Sequence, residues 1–301
     1  MKNKIYSLGA VVLDHVISVE EIPKKPVKMK GRQYIKRLGG PGAVASVVVA
    51  SLGFNSFFIG RFGRDSDSLF LKNTLFKLKV NLKHSLRYNS PDLHTALVIQ
   101  DQKGERLVVS QKPKFFDSMI PNFKKINFTG TFLADLTWLN GAYQLCRKTK
   151  QFKGNLIVDA DLFEINNKSK YIIENANYVI FSKIGLIHFS RIKSISKALE
   201  KLYKKYKKNF TVTNGSKGVY WIDKGKIHNI KPLKIRAIET NGAGDVFHGA
   251  FACAIEKKFS IKDALQYASV VASLKCTKTG GIYNLPTLKE INSKLKKNYV
   301  S

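Results

Sequence analysis

A chain of 301 residues with 44% hydrophobic and 11% aromatic content can bury a sizeable core, which excludes global disorder. With 52 basic against 21 acidic residues the net charge is +31, and three scattered cysteines, Cys146, Cys253 and Cys276, exclude a disulfide framework and fit a reducing, cytoplasmic compartment. The lysines fall in many short groups, such as Lys204, Lys205, Lys207 and Lys208, so the charge is expected to be dispersed over solvated faces, with no specific nucleic-acid site.

The N-terminal apolar run predicts a first β-strand at about 4–13; Asp14 and His15 end it, and no convincing small-residue cleavage site follows. A polar, Lys/Pro-rich extended stretch covers 20–37. Residues 38–60 carry no charge, but Gly39, Gly40, Pro41 and Gly42 open that stretch, and Gly53, Asn55 and Ser56 interrupt it. It reads as a loop, a small-residue helix to about 52 and a strand at 56–60, so no membrane segment is expected. A helix is expected at about 66–78. Residues 86–110 read as two or three strands with a turn at Gln102-Lys103-Gly104. Strands at 128–135, 155–161, 178–182 and 210–215 then alternate with helices, and helices at 244–256, 261–276 and 287–297 close the chain. This alternation predicts one α/β domain over 1–301, with a mainly parallel sheet covered by helices. The pieces at 12–37 and 86–110 fall outside that pattern. They are expected to pair as a small antiparallel sheet, serving as a lid or a subunit interface.

Ligands of open α/β sheets bind beyond the carboxyl ends of the strands. The polar residues there are Asp14, Asp135, Asp159, Asp161, Ser182 and Thr213-Asn214-Gly215; each alone is an ordinary strand end. The segment Glu239-Thr240-Asn241-Gly242-Ala243-Gly244-Asp245 says more. It leaves backbone bare where a helix begins, and free amides at a helix N-terminus favour an anion. Asp245 falls in the first turn, where the helix dipole is expected to keep it ionised. An anion cradle beside a carboxylate suits phosphoryl transfer to an alcohol, the carboxylate taking the hydroxyl proton. An ordinary capped helix explains Asp245 equally well but leaves the glycines unexplained. Gly39-Gly40-Pro41-Gly42 opens a second helix in the same way. No GKS or GKT follows it and its spacing is not G-x-G-x-x-G, so neither a P-loop nor a dinucleotide fold is supported.

Together, ETNGAGDVFHGA, GGPGAVASVVVASLG with FIGRFGRDSDS, and TNGSKGV (213–219) resemble the signatures of the PfkB/ribokinase family of carbohydrate kinases, in order along nearly the whole chain. The resemblance implies a ribokinase-like three-layer fold with a β-sheet lid, and the placement of the lid strands outside the β-α alternation leads us to expect a homodimer through that lid. It implies Asp245 as base with Gly242, Ala243 and Gly244 as the anion hole. Sugar contacts would come from Asp14, Gly39, Gly40, Gly42, Asp135 and Thr137. Nucleotide contacts would come from Ser182, Thr213, Gly215, Gly218, Ala272 and Cys276. ATP with Mg2+ would be the donor, and a monovalent cation such as K+ would sit at Glu239 and Asn241. The sequence departs from the family in several places. Val44 stands where Asn is frequent, Ser182-Lys183-Ile184-Gly185 stands where N-x-x-E is usual, and Glu239 and Asn241 replace Asp and Thr. Within the family, GDVFHGA and FLADLTWLNGA look like the sulfofructose kinases, although Thr137 stands where that subgroup carries Arg. A ketohexose-type sugar or sulfosugar is the expected acceptor. A nucleoside or phosphosugar kinase, a silent sugar-binding regulator and a basic nucleic-acid-binding protein remain as alternatives.

Overall fold

The structure, a computed structural model, describes residues 3–90, 92–102, 105–161 and 163–299. In the first half of the chain, the strands are β1 (Lys4–Leu8), β2 (Val12–Ser18), β3 (Gln33–Gly39), β4 (Asn55–Ile59), β5 (Arg61–Phe62), β6 (Leu86–Arg87), β7 (Thr95–Gln100) and β8 (Arg106–Gln111); the helices are α1 (Pro41–Ser51) and α2 (Ser66–Lys77). In the second half, β9 (Thr131–Asp135), β10 (Asn155–Ala160), β11 (Tyr178–Ser182), β12 (Thr211–Thr213), β13 (Val219–Asp223) and β14 (Lys226–Ile230) alternate with α3 (Leu139–Gln151), α4 (Asn167–Asn175), α5 (Lys183–Ser190) and α6 (Ile195–Tyr206); α7 (Ala243–Glu256), α8 (Ile261–Cys276) and α9 (Leu288–Tyr299) follow.

Eight strands form the central sheet in the order β14-β13-β12-β11-β10-β9-β1-β4. It is parallel from β4 to β12, and β13 and β14 close one edge as an antiparallel hairpin. Strand side chains alternate between the two faces. Ile5, Leu133, Ile157 and Ile180 join a core with α1, α2, α7, α8 and α9, whereas Tyr6, Phe132, Leu156 and Val179 join a second core with α3 to α6. Helix α7 buries every residue from Val246 to Ile255, as expected of a helix with no polar stripe between sheet and neighbours. No helix among the described residues is long and apolar enough to cross a membrane.

The lid is a separate four-stranded sheet, β3-β2-β7-β8. Three expectations are corrected here. The single strand at 4–13 is two strands in two sheets, broken at Gly9-Ala10-Val11, where the chain leaves the central sheet for the lid. The lid is mixed, because β2 and β7 run parallel, Val16 opposite Val98. Residues 86–87 pair with β5 instead of joining the lid. The turn expected at Lys103 and Gly104 lies outside the described residues; β7 and β8 pair antiparallel on either side of it. The hairpin β13–β14 was not anticipated.

Candidate active site

Two helices start side by side at the carboxyl end of the sheet. Gly249 of α7 lies against Ala45 and Val48 of α1, and Gly242 faces Val44. Helix α1 is anchored by Asp135, which closes β9 and is 2% exposed. Its Oδ2 accepts the amides of Ala10 and Gly42, both at 2.8 Å, and its Oδ1 accepts the Thr137 amide at 3.0 Å and the Thr137 hydroxyl. Four donors from the protein therefore occupy the carboxylate that was expected to meet the sugar. Asp135 holds together the β1–β2 link and the start of α1, and the Thr137 hydroxyl is spent on it.

Asp14 comes from the lid strand β2, beside Gly39, with Arg37 opposite it on β3. Burial pushes its carboxyl up to about 6, against the pull of Arg37 and Arg106. Gly40 precedes α1 with a φ of 96° that favours glycine. These glycines bring main chain and one lid carboxylate to a common place, as a polyhydroxylated ligand requires.

At the start of α7, Gly242 is left-handed with a φ of 70°. The Ala243 amide donates to the Thr240 carbonyl at 3.2 Å, so of the expected hole this amide is engaged. Gly244 is exposed, and a Cβ built on it would meet nothing within 4 Å. First-turn amides have no carbonyl four residues back within the helix, so the anion cradle opens at Gly244, directly before Asp245. Asp245 is half-buried. Burial and then the negative charge of Asp159 push its carboxyl up to about 8, opposed by His248. Desolvation and the neighbouring carboxylates thus oppose the helix dipole that was expected to keep Asp245 ionised. In its ionised form, a carboxylate with that affinity is a stronger base than an ordinary one.

The 239–245 loop also gathers groups that carried no assigned role in the sequence, His248, Arg37 and Lys275, beside the expected cation-site residue Glu239. His248, one turn on and buried, bonds through Nδ1 to the Gly244 carbonyl at 2.8 Å and lies 3.4 Å from Asp159 Oδ2. Glu239 is buried between lid and loop. Its Oε1 accepts from Arg37 at 3.4 Å and its Oε2 accepts the Gly280 amide at 3.1 Å. The signal for His248 was its spacing from Asp245; Arg37 and Lys275 sit in stretches with no motif.

Ser182 and Thr213, two candidate nucleotide contacts, are paired in register at the ends of β11 and β12. Ser182 caps α5, accepting the Gly185 amide at 2.9 Å and donating to Asp161. The usual family Glu has no room at 185, because a Cβ there would lie 2.2 Å from the Ala160 carbonyl oxygen. Gly215 opens a short turn after β12. Gly218 has its own structural requirement, since a Cβ would lie 2.1 Å from the Ile230 carbonyl oxygen. Ala272 and Cys276 lie one turn apart on α8, and the Cys276 carbonyl accepts the amides of Ile238 and Glu239 at 2.7 and 3.2 Å.

Among the described residues no group of three His, Cys, Asp or Glu is disposed to hold a metal ion. A free monovalent cation does not fit at Glu239 and Asn241, because the Lys275 ammonium already bonds both their main-chain carbonyls. A cavity of about 430 Å3 adjoins Thr137, with His94, Lys112, Asn140 and Lys168 in its wall. A larger groove of about 1150 Å3 between β13–β14 and the start of α8 contains none of the candidate residues.

Comparison with known proteins bears on the family and the fold. The family model for pfkB family carbohydrate kinases matches residues 2–288. The ribokinase of Haemophilus influenzae is 26% identical over 298 residues, covering 96% of this chain and 97% of that protein. A crystal structure from Agrobacterium tumefaciens, provisionally called a ribokinase, shares the fold at a TM-score of 0.92 and 22% identity, covering 99% and 98% of the two chains. The ribokinase of Arabidopsis thaliana, solved with ribose and ATP, does so at 0.80 and 20% identity, covering 98% and 99%.

Proposed function

Because this chain belongs to the pfkB family of carbohydrate kinases, phosphotransferases with an alcohol as acceptor, we propose that it transfers the γ-phosphoryl group of ATP to a hydroxyl of a ketohexose-type sugar or a sulfosugar. One observation carries the reading: the open face of Gly244 at the start of a buried helix, with the Asp245 carboxylate next to it. Asp245 accepts the hydroxyl proton and aligns the oxygen. The Gly244 amide and the positive end of α7 stabilise charge on the moving phosphoryl group. Asp14 and the main chain at Gly39, Gly40 and Gly42 orient the sugar, while Ser182, Thr213, Gly215, Gly218, Ala272 and Cys276 lie along the nucleotide side. Mg2+ accompanies ATP and offsets phosphate charge.

Lys112 is the cation an acidic acceptor would use: its Nζ lies 3.4 Å from the Thr137 carbonyl oxygen, although it is paired with Asp117 Oδ1 at 2.6 Å in this structure. Its ammonium stands near the position where the sulfofructose kinases carry Arg; Lys168 shares the same cavity, as do the carboxylates of Asp117 and Glu164. The screen that tests the proposal measures ATP consumption over ketoses, pentoses, nucleosides, phosphosugars and sulfosugars. Turnover on a ketose or sulfosugar supports it, and no turnover on any acceptor removes the kinase reading.

The lid's outer face supports a homodimer. Tyr34, Leu97, Leu107 and Val109 share that face and are 41–60% exposed. A second copy of this chain covers such an apolar sheet face without a new partner, since a two-fold interface is self-complementary. Buried thiols at Cys146, Cys253 and Cys276 fit a cytoplasmic protein.

A further inference from the structure

The loop that ends in the anion hole converges on a buried ammonium. Lys275, in the last turn of α8, is 1% exposed. Its Nζ donates to the Glu239 carbonyl at 3.1 Å and to the Asn241 carbonyl, and lies 3.8 Å from Glu239 Oε1. Two main-chain carbonyls and a carboxylate around one positive atom make a cation cage in which the cation is covalently attached. Packing does not explain the residue. Lys275 stands in the run Ser273-Leu274-Lys275-Cys276, where each neighbour is buried, and an apolar side chain would avoid the cost of desolvating a charge.

The loop depends on that charge. Carbonyl oxygens that point at one another repel unless a cation or donor lies between them. Fixing the carbonyls of Glu239 and Asn241 fixes Thr240, whose own carbonyl accepts the Ala243 amide. It also fixes the approach to Gly242, and so the direction of the first-turn amides of α7. The surroundings exclude a second cation, because Glu239 is already shared by Lys275 and Arg37, at 3.8 and 3.4 Å.

We infer that the Lys275 ammonium is the resident monovalent cation of the 239–241 loop, and that this enzyme needs no free K+ or Na+. The link to turnover rests on the proposed kinase reading; the structural half rests on the loop alone. The experiment therefore has two arms. In the first, wild-type protein is melted, and assayed on its acceptor, in tetramethylammonium chloride and in KCl at equal ionic strength. Equal melting temperatures and rates within about twofold are expected. A rate or stability that rises strongly with K+ in the wild type overturns the inference. Absence of all turnover in both salts touches the kinase reading only, and the melting comparison still decides the role of Lys275.

In the second arm, Lys275→Ala opens the cage. It is expected to melt lower in tetramethylammonium chloride and to regain several degrees in KCl or ammonium chloride, because a ligand that binds only the folded state stabilises it. Lys275→Met, which fills the cage with an apolar chain, is expected to show no such recovery. Recovery of Lys275→Met to the same extent, or none in Lys275→Ala, contradicts the inference. If Lys275→Ala does not fold in any salt, the wild-type comparison of the two salts is decisive.

Discussion

Gly39 lies against the Asp14 carboxylate so closely that a Cβ on Gly39 would come within 2.4 Å of Asp14 Oδ2. The lid carboxylate and the glycine loop are therefore one unit, and a methyl group at 39 turns Asp14 away from the sugar side. Gly39→Ala is expected to raise the acceptor KM about 10–100-fold, the value of one lost hydrogen bond to a charged group. The ATP dissociation constant should stay unchanged, which steady-state kinetics beside calorimetric ATP titration will show. Since burial pushes the Asp14 carboxyl up to about 6, acceptor KM should also fall as pH rises through that value.

The raised proton affinity of Asp245 has a signature in stability. Its folded value is about 8 against an ordinary 3.8, so between those values the folded state holds a proton that the unfolded state has lost. Stability then falls as pH rises through that window. Asp245→Asn removes this contribution and should melt higher than wild type above pH 8, with the difference vanishing below the ordinary carboxylate range. Melting curves of the two ligand-free proteins across pH will check it.

Asp135 serves four donors, two of them the buried amides of Ala10 and Gly42. Asp135→Ala should lower stability by about 2–6 kcal/mol, the cost of leaving two buried amides without an acceptor. Denaturant unfolding will measure the loss, and a variant with wild-type stability would falsify the anchoring role.

Much of this was legible from residues. The glycines before α1 and α7 announced bare backbone at helix starts, and the β-α alternation announced a parallel sheet. The break at Gly9-Ala10-Val11 was hidden because hydrophobicity runs through it unbroken; the Asp135 carboxylate, more than a hundred residues away, forces it. A Cβ at Gly9 would lie 1.8 Å from Asp135 Oδ2. The β13–β14 hairpin was missed although Lys224-Gly225 carries it, both residues with positive φ of 47° and 79°, a tight-turn signal masked by the surrounding β-α alternation. Lys275 was invisible in kind: a charge inside an apolar helical run declares no partner, and its partners are main-chain carbonyls that any sequence supplies.

The lid face makes its own prediction. Val109→Lys places a charge on the exposed apolar face at its edge strand β8, which is itself exposed. Sedimentation should show a dimer for wild type and a monomer for the variant, with little change in melting temperature. A wild-type monomer at all concentrations contradicts the lid interface.

Asp245 as the base at an anion cradle stands or falls on one pair of numbers. For Asp245→Asn, confirmed as folded by its melting curve, kcat on the best acceptor is measured beside the ATP dissociation constant. The expected result is a fall in kcat of at least about 10²-fold, the usual worth of a positioned general base, with ATP affinity within a few-fold of wild type. A folded variant that keeps near-normal kcat would remove Asp245 from the chemistry.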